Sequence, residues 1–246
     1  MPSSKTTSRA LTLFKRWLVL VLLSCLGLQV YFLARVAMMR YVDPQSTAFE
    51  RSQILQVHSS ENGFRWRQQW VPASRIHPSL SRAVIASEDD LFASHDGVRW
   101  EAIEKAWQRN EKAQARSSVS GKAPKVVGGS TITQQLAKNL FLSGERHFLR
   151  KGQELLITLA LETCLSKQRI LEIYLNHVEW GRGVFGAQAA ALHYFGKPAS
   201  QLQPWESARL AVMLPRPKYF EKLPLSPYLA DRTQVILSRM GAAVLP

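Results

Sequence analysis

Residues 128–141, with the sequence GGSTITQQLAKNLF, decide the fold because they combine a helix start with a dense polar face. We predict that the helix begins at Ser130 or Thr131, since Thr131 and Gln134 have the spacing of a capping box. Lys138 lies four residues after Gln134 and therefore shares its face of the helix. The N–H groups of this helix start are suited to bind an anion, and the preceding glycines let a ligand approach the backbone.

Helical patterns continue on both sides of this stretch. Apolar residues recur at helix spacing from Pro78 onward, ahead of an acidic run. Residues 112–129 are basic and rich in Ser, Gly and Ala, which predicts a loop. Few alternating, strand-like runs are present, so we predict a mainly α fold. Further helices are predicted over 100–111, 150–165, 167–176, 183–194, 204–214 and 228–243.

An apolar N-terminal segment predicts a membrane anchor. Residues 17–34, WLVLVLLSCLGLQVYFLA, carry no charge over 18 residues, close to the roughly 20 that cross a bilayer as a helix. Four basic residues precede the segment and two follow it, which places the N-terminus in the cytoplasm. The predicted domains are a tail over 1–16, a transmembrane anchor over 17–37, a linker or irregular lid over 38–70, and a catalytic domain over 71–246.

The chain is strongly basic, with a formal net charge of +14 over 246 residues. Such an excess favours polyanionic partners, namely nucleic acid, anionic lipid headgroups or phosphate-bearing substrates. Because the basic residues are scattered and the anchor points outward, we expect no nucleic-acid partner. Cys25 lies in the apolar segment and Cys164 in a predicted helix, so no disulfide framework is expected.

An acidic run over residues 87–95, SEDDLFASH, follows the first predicted catalytic-domain helix. Negative charge at the C-terminal end of a helix opposes the helix macrodipole and is unfavourable without compensation. Two interpretations stay open at this point. The run is either a solvated acidic turn, or it keeps a carboxylate such as Glu88 in place to accept a proton.

A third cluster joins cations to a carboxylate. Arg146 precedes Arg150 and Lys151, and Glu154 follows Lys151 by three residues, on the same helix face. A surface ion pair, worth about 0–1 kcal/mol, is the plain alternative. Glu162 is the rival carboxylate on this helix, and we interpret it as part of a solvated helix end.

Together, these blocks resemble the family 51 glycosyltransferases, the peptidoglycan polymerases, and among them the monofunctional members. The resemblance spans roughly residues 70–245, and we expect no transpeptidase domain after it. One position departs from the family pattern, because Arg99 stands where the family usually has Asp. The matching blocks, in the family's order, are ASEDDLFASHDG at 86–97, GGSTITQQLAKNLF at 128–141, RKGQE at 150–154, SKQRILEIYLN at 166–176, GVFGAQAAALHYFGKPASQL at 183–202 and LAVMLPRP at 210–217.

The resemblance implies a lysozyme-like, two-lobed helical domain that polymerises lipid II into glycan strands. The acceptor's N-acetylglucosamine 4-hydroxyl would attack C1 of the donor's N-acetylmuramic acid with inversion, releasing undecaprenyl pyrophosphate. The implied catalytic residues are Glu88, as general base, and Glu154. The implied substrate-binding residues are Asp89, Phe92, His95, Ser130, Thr131, Gln134, Gln135, Lys138, Asn139, Arg146, Arg150 and Lys151.

The expected partners are lipid II, the lipid-linked glycan chain and the bilayer, with other cell-wall synthesis proteins as further candidates. The expected location is the bacterial inner membrane, with the catalytic domain in the periplasm. No cofactor is required by these residues, although a divalent cation (Mg²⁺ or Mn²⁺) at the pyrophosphate stays open. Two rival functions also stay open: a lysozyme-like enzyme that cleaves glycans, and an inactive membrane scaffold.

Overall fold

The computed structural model describes residues 4–58, 66–120, 129–142 and 148–246, and these are mainly helical, as predicted. The strands are β1 (Arg67–Gln68), β2 (Glu179–Gly181) and β3 (Val184–Phe185), ordered β1-β3-β2 with β1 parallel and β2 antiparallel to β3. The helices are α1 (Ser4–Met38), α2 (Ala48–His58), α3 (Pro78–Glu88), α4 (Trp100–Ser120), α5 (Ile132–Phe141), α6 (Phe148–Cys164), α7 (Lys167–His177), α8 (Ala187–Phe195), α9 (Pro204–Met213), α10 (Pro217–Phe220) and α11 (Pro227–Arg239).

The hydrophobic core joins two groups of helices. On one side α3 packs against α9 and α11, and on the other α5 packs against α6 and α7. Leu80 of α3, Leu136 of α5 and Ile173 of α7 are all fully buried in one cluster. Burying a side chain of this size contributes about 1.5–3 kcal/mol. The core therefore fixes the end of α3 relative to α5 and α7, where the candidate site lies.

The N-terminal helix α1 is long and apolar enough to span a membrane over Leu11–Met38, and an 18-residue window within it has a mean hydropathy of 2.2. Its C-terminal end belongs to the folded domain, because Val36 is fully buried in the core. Closer to the N-terminus of α1, the side chains of Gln29 and of Gln153 on α6 exchange two hydrogen bonds of 2.9 and 3.0 Å. The predicted domain boundaries stay a prediction, but α1 and α6 are joined by packing as well as by the chain.

The prediction of an irregular linker over 38–70 is wrong for residues 48–58, which form α2. A capping box begins this helix, because the Glu50 carboxylate accepts from Thr47 N at 2.7 Å and Thr47 Oγ1 accepts from Glu50 N at 3.0 Å. Glu50 is fully buried and also pairs with His177 of α7 at 2.8 Å. Residues 59–65 lie outside the described part of the chain. The capping box thus stabilises the start of α2, and the buried pair holds this helix against α7.

Two further boundaries differ from the sequence predictions. Helix α4 continues to Ser120, so the predicted loop over 112–129 is wrong for its first nine residues. Lys, Ala, Gln and Arg dominate those residues after position 111, and all are good helix formers. Helix α8 begins at Ala187 rather than 183, because Gly186 has a φ of +81° that a right-handed helix excludes. Residues 184–185 form β3 instead.

Candidate active site

A cleft of about 380 Å³ lies between α2, α5 and the first turns of α6. It is polar and carries both signs of charge, and it brings together eight residues that the sequence analysis selected. Arg146, also selected, lies outside the described residues. Glu88, Asp89, Phe92, His95 and Thr131 lie beside the cleft rather than in its lining. The lining consists of Phe49, Ser130, Gln134, Gln135, Lys138, Asn139, Leu142, Arg150, Lys151 and Glu154.

The start of α5 has the predicted capping box. Thr131 is the N-cap, its hydroxyl accepts from Gln134 N, and Gln134 Oε1 accepts from Thr131 N, both at 3.1 Å. Thr131 Oγ1 also donates to Gly97 O at 2.6 Å, which ties the start of α5 to the preceding loop. Thr131 is 2% exposed, so its side chain organises the helix start and does not line the cleft.

The glycine before this helix has a packing role. A Cβ on Gly129 would lie 3.0 Å from Ala102 O and 3.2 Å from Ala106 Cβ, both on α4. The close approach of two backbones therefore explains this glycine. The approach of a ligand, which its sequence context suggested, stays a prediction. Gly128 lies outside the described residues.

The cations of α6 surround a buried carboxylate. Glu154 is 3% exposed, and its two oxygens are engaged by Arg150 Nη1 at 2.9 Å and by the Lys151 ammonium. The Lys151 side chain is half exposed, and Lys138 of α5 is exposed across the same cleft. The plain surface ion pair considered above is thus excluded, because the carboxylate is enclosed and holds two cations toward one polar cavity.

Glu88 is the last residue of α3, and its carboxylate meets α5. Gln135 Nε2 donates to Glu88 Oε2 at 2.9 Å. Burial raises the pKa of Glu88 above its usual value, the Gln135 hydrogen bond opposes this rise, and the charge of Asp89 adds to it. Because Gln135 itself lines the cleft, Glu88 lies at its edge. The alternative of a solvated acidic turn is therefore excluded for this residue.

Asp89 follows Glu88 but has a different environment. It is 2% exposed, and its carboxylate accepts from Ile132 N, at the start of α5, and from His95 Nε2, each at 3.0 Å. His95 Nδ1 accepts from Gly97 N at 3.0 Å, so this hydrogen-bond network assigns the His95 proton to Nε2. Asp89 and His95 therefore fasten the end of α3 to the start of α5.

Arg99, the departure from the family pattern, has defined contacts. Its guanidinium lies 2.5 Å from the exposed Asp90 carboxylate and 3.6 Å from Asp89. Phe92, selected from the sequence, is fully buried, with the Lys167 ammonium 4.6 Å from its ring centre. Arg99 thus adds positive charge beside the buried Asp89, and Phe92 supports the loop from within the core.

The rival carboxylate Glu162 is structural. It accepts hydrogen bonds from Thr133 Oγ1 at 2.6 Å and from Lys167 Nζ at 2.8 Å. Its side chain is 10% exposed, so the interpretation as a solvated helix end is wrong. Glu162 instead ties α6 to α5 and to the start of α7.

Sequence reasoning missed two residues at this site. The Tyr174 hydroxyl of α7 donates to Gln135 Oε1 at 2.9 Å, and Tyr174 is 1% exposed. Phe49 reaches the cleft from α2, in the segment predicted to be irregular. The contact between Tyr174 and Gln135 spans 39 residues, so no local sequence pattern indicates it. The position of Tyr174 in α7 fits the same helical periodicity as the apolar core residues around it, so it is not distinguished from them.

A second cavity, of about 440 Å³, lies between α7, the start of α3 and the C-terminal residues. Its charged lining residues, Arg169 and Glu172, pair with each other at 2.6 Å. The smaller cleft is the better candidate, because it gathers several cations around a buried carboxylate and adjoins a carboxylate of raised pKa.

Comparison with known proteins identifies the family of this chain. Residues 53–241 match the family described as Transglycosylase. A protein of Burkholderia thailandensis named biosynthetic peptidoglycan transglycosylase is 54% identical over 221 residues, covering 90% of this chain and 83% of its own. Proteins with the same name from Herminiimonas arsenicoxydans and Paraburkholderia xenovorans are each 49% identical, covering 94% of this chain and 96% and 94% of their own.

Proposed function

Because the chain belongs to the transglycosylase family, a group of lysozyme-like helical domains, we propose that it polymerises peptidoglycan glycan strands from lipid II. The observation that carries this proposal is the placement of Glu88 beside a cleft that Lys138, Arg150 and Lys151 line together. Transfer of a sugar from a lipid pyrophosphate needs both the carboxylate and the cations. A sugar hydroxyl must lose a proton, and a lipid pyrophosphate must leave with its negative charge stabilised.

We assign the general-base role to Glu88. Its raised pKa brings the carboxylate closer to neutral pH, where a base is both ionised and able to take a proton. Gln135 occupies Oε2, so we assign Oε1 to the 4-hydroxyl of the acceptor's N-acetylglucosamine. As the proton moves to Glu88, the hydroxyl oxygen attacks C1 of the donor's N-acetylmuramic acid from the face opposite the leaving group, which inverts the configuration.

We assign the leaving-group side to the cations of α5 and α6. The pyrophosphate accumulates negative charge as the C1–O bond breaks, and preorganised positive groups lower the barrier by about 3–4 kcal/mol for a well-placed donor. Glu154 holds Arg150 and Lys151 in place, so it acts on the pyrophosphate through them. Ser130, at the start of α5, is placed to donate to the sugar or phosphate oxygens.

These cations distinguish synthesis from cleavage. A lysozyme-like enzyme releases a sugar hydroxyl and does not need a cluster of cations where the bond breaks, whereas a pyrophosphate leaving group does. Arg99 also fits an active protein, because it adds a pairing to the buried Asp89 and leaves the Asp89 bonds to His95 and Ile132 in place.

We propose that the cleft does not hold a divalent cation of its own. Within the described part of the chain, no three His, Cys, Asp or Glu side chains gather to form a metal site. Glu154 already has both oxygens engaged by cations. An Mg²⁺ or Mn²⁺ ion would therefore arrive with the pyrophosphate, and a comparison of polymerisation with and without EDTA tests this.

We propose that α1 anchors the protein in the bacterial inner membrane, with the N-terminus in the cytoplasm and the catalytic domain in the periplasm. The excess of basic residues before the apolar segment supports this orientation. Both substrates carry lipid tails, so an anchored enzyme meets them at a higher effective concentration. Labelling of single cysteines placed on either side of α1, in intact and in permeabilised cells, tests the orientation.

The proposal is tested with Glu88→Gln and labelled lipid II in detergent. We expect polymer formation to fall by at least about 100-fold, since a positioned general base contributes about 10²–10⁴-fold. Asp231→Asn is the control, because Asp231 is exposed on α11, which does not line the cleft. Full activity of Glu88→Gln would remove Glu88 from its role. Shortening of preformed strands without polymer formation would instead support a cleaving enzyme.

A further inference from the structure

A buried tyrosine supports the amide that contacts Glu88. The Tyr174 hydroxyl donates to Gln135 Oε1, and Gln135 Nε2 donates to Glu88 Oε2, both at 2.9 Å. Tyr174 lies on α7, Gln135 on α5 and Glu88 at the end of α3. Three helices thus contribute one residue each to a line of hydrogen bonds that ends on the carboxylate.

The chemistry of the three groups fixes the direction of this line. An ionised carboxylate only accepts hydrogen bonds, so Gln135 must turn its NH₂ group toward Glu88 and its oxygen toward Tyr174. A protonated Glu88 could donate instead, and the amide could then rotate by half a turn. The amide orientation is therefore coupled to the protonation state of Glu88.

Tyr174 favours one of these two orientations. Among the described residues, its hydroxyl has no second hydrogen-bond partner. If Gln135 turned its NH₂ group toward Tyr174, the hydroxyl hydrogen would stay buried and unsatisfied, which is costly. Burial and the charges of Glu88 and Asp89 raise the pKa of Tyr174 well above its usual value, so it remains a donor. The hydroxyl thus selects the orientation that suits an ionised Glu88.

We propose that Tyr174 is a positioning residue, which holds the Gln135 amide so that Glu88 stays ionised and ready to accept a proton. This inference rests on the proposed role of Glu88 as the general base. It adds that a buried residue of α7, which does not line the cleft, helps to keep the base ionised.

The surroundings of Glu88 predict the sign of the effect. Burial is the largest influence and raises the pKa of Glu88, whereas the Gln135 hydrogen bond lowers it. A weakened Gln135 bond therefore lets the pKa rise further. Arg99 and His95 contact Asp89, the neighbour of Glu88. The other groups facing the carboxylate are Asp89, whose charge raises its pKa, and Ser87 and Lys138, which lower it.

The test is Tyr174→Phe in the full chain, with kcat/KM for lipid II measured against pH. We expect the acidic limb of the profile to move to higher pH by about one pH unit, because a bond to the charged form is weakened. Tyr194→Phe is the matched control. The Tyr194 hydroxyl also donates one hydrogen bond, to Trp180 O at 2.8 Å, but it lies outside the line that ends on Glu88. The acidic limb of the pH profile of Tyr194→Phe should therefore stay where it is in the unmodified protein.

The outcomes separate this inference from the proposed function. If Tyr174→Phe polymerises lipid II with an unmoved acidic limb while Glu88→Gln is inactive, Tyr174 has no positioning role and Glu88 remains the base. If Glu88→Gln is active, the proposed function fails first. If Tyr174→Phe does not fold, Gln135→Asn serves instead, because the shorter side chain weakens the connection between Tyr174 and Glu88. This variant must also move the acidic limb of the pH profile to higher pH. An unmoved limb in that variant overturns the inference.

Discussion

The two glycines that bound α8 allow a matched test of backbone strain in this fold. Gly186, its N-cap, has φ +81° and ψ 156°, and a Cβ there would lie 2.5 Å from Asn176 O on α7. Gly196, its C-cap, has φ +68° and ψ 18°, and a Cβ there would meet nothing within 4 Å. We therefore predict that Gly186→Ala destabilises the protein much more than Gly196→Ala does.

The magnitudes follow from the conformation and the contact. Gly196→Ala places an L-residue in the left-handed region, which costs about 1–2 kcal/mol. Gly186→Ala costs about 1–3 kcal/mol for a conformation that is almost restricted to glycine. A further cost of about 1–3 kcal/mol arises because the backbone of α7 must move away from the new methyl group. For a chain of this size, each kcal/mol lowers Tm by roughly 2–4 °C.

The assay is thermal unfolding of the full chain in detergent, followed by tryptophan fluorescence. Trp180 is fully buried next to β3, so its exposure contributes to the fluorescence change of the seven tryptophans when the chain unfolds. Tm should fall by about 2–8 °C for Gly196→Ala and by about 4–24 °C for Gly186→Ala. All variants need one scan rate, since the apparent Tm depends on the scan rate wherever unfolding is irreversible. Equal losses, or a larger loss for Gly196→Ala, would contradict the reasoning.

Two further predictions concern the Gln29–Gln153 pair and Arg99. Gln29→Leu and Gln153→Leu each remove both hydrogen bonds between these two amides. The double variant should therefore lower Tm no more than the more damaging single variant does. Additive losses of Tm would show that the two side chains do not interact. The coupling should be about 1 kcal/mol, as for hydrogen bonds between membrane helices. Arg99→Ala removes a pairing that is partly exposed, so stability should fall by about 1 kcal/mol or less. Polymerisation should continue, and its loss would give Arg99 a direct role.

The features that the sequence predicted are those that depend on neighbouring residues. The capping box of Thr131 and Gln134 is complete within four residues, so its spacing alone identifies the start of α5. The spacing of Arg150, Lys151 and Glu154 likewise places their side chains on one face of α6. Both predictions need only the geometry of a single helix.

The features that the sequence did not predict depend on tertiary contacts. Helix α2 is held by the buried pair of Glu50 and His177, which are 127 residues apart. The contacts of Gln135 with Glu88 and Tyr174 span 47 and 39 residues. Asp89 and Phe92 belong to the matching motif, yet burial rather than residue type decides that they support the site from within.

The adjacent carboxylates Glu88 and Asp89 explain why the site needs both groups of helices. Asp89 receives donors from His95 and from Ile132 at the N-terminus of α5, where the helix macrodipole favours negative charge. Glu88 lies at the C-terminus of α3, where the macrodipole opposes negative charge, and the charge of Asp89 raises its pKa further. Two residues of one type thus receive different roles from opposite helix ends. The bond that fastens Asp89 to α5 also brings Glu88 to Gln135, so the base and its amide partner are placed by the same contact.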